Sequence, residues 1–99
     1  MASKTFKIGE YCKGGIIQAI ATENSVTIIG KDWDFSAGSN KGSNQSNAKE
    51  FTRETFNPSE SDARRNCLWF LEELTTPYYA EQVMGFVEKH TTFANGFGW

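Results

Sequence analysis

The hydrophobic period of this chain changes once and does not change back. Up to residue 56, apolar residues recur in alternation or in short β-branched runs. From Asn57 onward they recur at helical spacing. Strands come first and helices last, with no interleaving. That order predicts an α+β fold, a three- to four-stranded antiparallel β-meander followed by two C-terminal helices packed on one face of the sheet. A chain of 99 residues is read as a single domain, 1–99.

The front half divides at its turn signals. Residues 5–11 alternate, with Phe6, Ile8 and Tyr11 facing inward, and Lys13-Gly14-Gly15 reads as a turn. Ile16–Ala21 has the composition of a central strand. Thr22-Glu23-Asn24-Ser25 has the length of a hairpin loop. The pattern resumes at Val26–Ile29, Gly30 suggests a bulge, and residues 31–35 alternate again with Trp33 and Phe35 on one face. Residues 36–49 are mostly Ser, Gly, Asn and Gln, and are expected to form a flexible loop. Residues 50–56 alternate but carry charge, as a protected edge strand does. Simple alternation puts Phe51 with Arg53 and Thr55, on the face opposite Phe56.

The back half opens on Asn57-Pro58-Ser59-Glu60. Asn57 suits a helix cap, Pro58 the first helical position and Glu60 the third. Ala63, Cys67, Phe70, Leu71 and Leu74 then form one buried stripe, with Trp69 outside it. Thr76 and Pro77 restart a helix whose inward residues are Ala80, Val83, Met84 and Val87. Gly85 lies mid-helix, where it suits a close approach of another element. Residues 91–99 form an aromatic tail ending at Trp99.

Most enzyme chemistry lacks its residues. One histidine and two separated cysteines, Cys12 and Cys67, make no metal pattern. Phosphate-binding glycine loops are absent from the sequence. Cys12 or Cys67 with His90 is the remaining thiol–imidazole option, with Cys67 on the buried stripe and Cys12 better placed for exposure, and His90 as a helix-end residue explains it more simply. Glu72 and Glu73 are adjacent on a helix and point apart, which does not suit shared acid–base work. The reading is non-enzymatic and without cofactor. Two unpaired thiols behind no secretory signal suggest a reduced, cytoplasmic setting, and no apolar run is long enough for a membrane span.

Charge and aromatic content point to a binding protein. Residues 1–49 hold six lysines against four acids, and residues 50–99 hold four basic residues against eight acids. Fourteen percent aromatic residues exceed what one small core needs, so some rings belong at a surface. The expected partner face is helical, acidic and aromatic: Trp69, Glu72, Glu73, Tyr78 and Glu81, joined by Trp99 from the tail. Trp69 and Tyr78 would form one patch beside the corner at 75–77, rimmed also by Glu88, with Phe93 and Phe97 as further exposed rings. The bland alternative has Trp69 holding the tail in a structural role. The profile is similar to that of phage and plasmid accessory proteins that block a host protein, which implies inhibition by direct binding. The second reading is a single-stranded nucleic-acid binder, with Trp33, Phe35, Arg53 and Arg64 stacking and neutralising a strand on the sheet. A homodimer through an edge strand or the helix face also suits so small a core.

Overall fold

A computed structural model describes residues 2–8, 15–32 and 49–94. Strands β1 (Ala2–Lys7), β2 (Ile16–Ala21), β3 (Val26–Asp32) and β4 (Lys49–Phe56) precede helices α1 (Ala63–Leu74) and α2 (Pro77–His90). The four strands pair antiparallel in the order β1-β2-β3-β4, a meander with β1 and β4 at its edges among the described residues. The α+β arrangement expected from the change of period is therefore present. β1 begins at Ala2, earlier than the alternation at 5–11 suggested, because the register Ala2↔Ala21 extends the pairing to the end of β2. Tyr11, Cys12, Trp33, Phe35, residues 36–48, Phe97 and Trp99 lie outside the described residues. Lys49, expected in the loop, is the first residue of β4.

Register explains which residues are buried. Ile17, Ala19, Val26 and Ile28 share the face that meets the helices, where they join Cys67, Leu71, Val83 and Val87 in one cluster. Phe6 of β1 meets Phe86 of α2 edge to face at 6.1 Å, and Phe56 of β4 meets Phe70 of α1 at 6.0 Å. α2 thus covers the β1–β2 side and α1 lies toward β4. Ile16 and Ile29 point to the other face and are buried outside that cluster. Thr22 closes the β2–β3 hairpin. Its hydroxyl accepts from the Ser25 and Asn24 amides at 2.9 and 3.2 Å.

The bulge is real but sits across from the expected position. Gly30 pairs with Thr52 and Lys31 with Glu50, so the extra residue is Phe51 on β4. A bulge shifts every later side chain to the other face. Phe51 therefore turns toward the helix side, where Phe56 already lies, and simple alternation fails there. Gly30 leaves the space this requires. A Cβ at Gly30 would stand 3.3 Å from the Phe51 ring and 3.4 Å from Leu74.

α1 starts later than its sequence signal. Asn57 Oδ1 accepts from the Ser59 amide and hydroxyl at 3.0 and 2.7 Å, which makes a turn instead of a helix cap. Glu60 N–H bonds the Asn57 carbonyl and Ala63 N–H bonds the Glu60 carbonyl, two tight turns in succession. The Pro58 carbonyl is taken by the Ala94 amide at 2.8 Å, so it is used by the tail and not by a helix. Helix begins at Ala63, where the buried stripe begins. α2 matches its signal closely, since Thr76 accepts from the Tyr79 amide and Pro77 opens the helix.

The start of the tail is docked. The Thr91 hydroxyl donates to the Thr22 carbonyl at 2.6 Å, and Phe93 is part of the core at 5% exposure. Phe93 is thus a packing residue, contrary to its expected place among exposed rings. Gly85 also departs from expectation: nothing lies within 4 Å of where its Cβ would be, so it permits no close approach. Gly85→Ala should therefore raise stability by about 1 kcal/mol through helix propensity alone. A thermal or urea unfolding curve checks this, and a loss of stability would show that the site is tighter than it looks.

Candidate functional site

A cleft of about 850 Å³ lies between α1 and the edge strand β4. One wall is Glu54, Thr55 and Phe56, and the other is Asn66, Trp69, Phe70 and Glu73. The helix residues recur at helical spacing because they form the flank of α1 beside its buried stripe. Glu60 of the preceding turn and Glu72 complete the rim. A second depression, lined by Phe51, Thr52, Phe70, Glu73 and Leu74, continues it along β4. The two share Phe70 and Glu73, so they form one groove following the strand from Phe56 to Phe51.

Its chemistry is mixed. Phe51, Phe56, Phe70 and Trp69 supply apolar surface, and Glu54, Glu60, Glu72 and Glu73 supply negative charge. Among the described residues, none of these four carboxylates has an ion-pair partner. Four like charges around an apolar floor attract cations and disfavour anions. Trp69 is 54% exposed, and its ring lies under the Arg65 guanidinium, 5.2 Å from the ring centre. Arg65 precedes Trp69 by one helical turn, and Trp69 also lines the cleft.

Three residues of the expected partner face meet in this cleft: Trp69, Glu72 and Glu73. Tyr78 and Glu81 belong to α2 and do not line it. Tyr78 is 67% exposed and packs edge to face on Tyr79 at 5.1 Å, not against Trp69. Glu88 is held by Arg64 at 2.9 Å across the helix pair, so it does not rim the groove. Sequence reasoning missed Glu54, Glu60, Phe56 and Phe70 as site residues. For Glu54 and Phe56 the signal was present in the edge-strand reading of 50–56, and Phe70 was read as part of the buried stripe, but only the packing of α1 beside that edge turns them into a groove.

Of the second reading's residues, the two that are described, Arg53 and Arg64, lie apart. Arg53 pairs in register with Ile29, on the face away from the helices, while Arg64 lies between α1 and α2. Arg53 makes a two-pronged contact to Glu50, at 2.7 and 3.0 Å. That hydrogen bond holds the Glu50 carboxyl below its usual range and raises Arg53.

Cys67 is free, and burial pushes its thiol up to about 12, helped by the nearby Glu88 charge and opposed by Arg64. It is protonated at neutral pH and behaves as a small core hydrophobe. His90 ends α2, with its ring 4.9 Å from Phe86. No group of three metal-ligating side chains occurs among the described residues, and no helix there is long and apolar enough to cross a membrane. No protein-family model, curated protein or solved structure matches the chain.

Proposed function

We propose that this chain is a non-enzymatic protein-binding module that captures a basic partner in the groove between α1 and β4. The observation that carries the reading is an apolar groove walled by four carboxylates without ion-pair partners among the described residues. A basic partner would neutralise charge that the monomer leaves exposed, and long basic side chains would lay their methylene stems on Trp69 and Phe70. Trp69 is the expected hot spot, since it is large, half exposed and central to the wall. Action would be by occupancy, which suits an inhibitor that covers its partner's basic surface. A free, buried Cys67 suits a reducing compartment.

Selection from a displayed peptide library tests the reading. Wild-type protein should enrich sequences combining Lys or Arg with apolar residues. A Trp69→Ala, Glu72→Lys, Glu73→Lys triple variant should retain its helical circular dichroism and lose that enrichment. Equal enrichment by the two proteins, or none by wild type, would remove this groove as a protein-binding site.

A further inference from the structure

The groove's second wall is a strand edge, and that determines what shape of partner fits. β4 is bonded to β3 on one side and, among the described residues, has no strand on the other. An unpaired edge presents backbone N–H and C=O groups that seek partners. The two depressions follow β4 from Phe51 to Phe56, a run of roughly 17–20 Å at strand rise. Such a run matches an extended segment lying alongside β4.

Resting on the protein-binding reading above, we propose that the groove takes an extended basic segment of a partner protein as a fifth strand against β4. Main-chain hydrogen bonds to β4 supply affinity, and alternate side chains supply specificity. Thr52, Glu54 and Phe56 face the helix side of the sheet, in register with Gly30, Ile28 and Val26. Every second residue of the incoming strand therefore enters the space before Trp69, Phe70 and Glu73. Those positions select Arg or Lys near Glu54 and Glu73, and an apolar residue between them. Outward positions lie beside Arg53 and Thr55 and select neutral residues, since Arg53 is already paired with Glu50.

The test uses the full chain and an end-capped peptide, Thr-Arg-Thr-Val-Thr-Arg-Thr. Saturable binding is expected, weakening as salt rises. Backbone amides within 51–56 should exchange more slowly in the complex. N-methylation of the peptide amides that point at β4 should weaken binding at least tenfold, while methylation of the alternate set leaves it unchanged. Glu54→Lys with Glu73→Lys should also cost at least tenfold, with circular dichroism confirming the fold. Binding that ignores both sets of methyl groups and leaves the β4 amides unprotected would overturn strand addition yet leave protein binding standing. Strand addition also falls, with protein binding intact, if library-selected ligands bind and this peptide does not. A chain that is dimeric beforehand, with its β4 amides already protected, would assign the edge to a second copy and overturn the proposal.

Discussion

Phe93→Ala is expected to cost about 3–5 kcal/mol of folding stability, the range for deleting a buried aromatic ring. Domains of this kind are stable by only about 5–15 kcal/mol, so the variant would stand close to unfolding at room temperature. Phe93 is 5% exposed and belongs to the same cluster as Leu71 and Val87. It also clamps a junction. On one side of it Thr91 bonds the β2–β3 hairpin, and on the other Ala94 bonds the Pro58 carbonyl. Losing the ring would release both hydrogen bonds as well as the cavity it fills. Urea unfolding followed by far-ultraviolet circular dichroism checks this, with Trp69→Ala as the contrast. Trp69 is half exposed, and its loss should change stability by about 0.5 kcal/mol or less. If the two variants unfold at similar urea concentrations, the tail does not dock as described.

That pair of residues also shows what could be read from sequence. Both rings lay outside the helical stripes, and composition alone marked both as surplus. Period placed the elements well, because a strand that buries one face must alternate and a helix that buries one face must repeat near every fourth residue. Thr76 and Pro77 were legible for the same reason, since capping is decided within one turn. Phe93 was not legible, because its burial depends on a hairpin some seventy residues earlier in the chain. The late start of α1 has the same origin. The residues Asn57-Pro58-Ser59-Glu60 suit a helix and a turn alike, and the bond from Ala94 to Pro58 favours the turn.

The groove was half legible. Trp69, Glu72 and Glu73 stood out as an acidic, aromatic flank, and residues 50–56 stood out as a charged edge. Nothing local says that these two surfaces lie side by side. The expected partner for Trp69 was Tyr78, its neighbour across the helical corner, yet the ring next to Tyr78 is Tyr79. Sequence proximity suggested one patch, and the path of α1 along β4 supplies a different one.

Gly30→Val should destabilise the protein by about 1–3 kcal/mol and deform the groove at the same time. A Cβ at Gly30 would stand 2.7 Å from the Thr52 methyl, 3.3 Å from the Phe51 ring and 3.4 Å from Leu74. Valine adds two further methyl groups to that crowded point. Thr52 is β-branched and has little freedom to turn away within a strand. Phe51 is the mobile neighbour. It is 43% exposed and can swing outward, which would remove the apolar end of the groove. Two readouts should therefore move together, a lower urea midpoint and weaker binding of apolar-basic peptides. Gly30→Ala should follow the same direction with a smaller change. A Gly30→Val protein with an unchanged urea midpoint would mean that Thr52 and Phe51 have room to part. Unchanged peptide binding in that variant would mean that Phe51 is not part of the recognition surface.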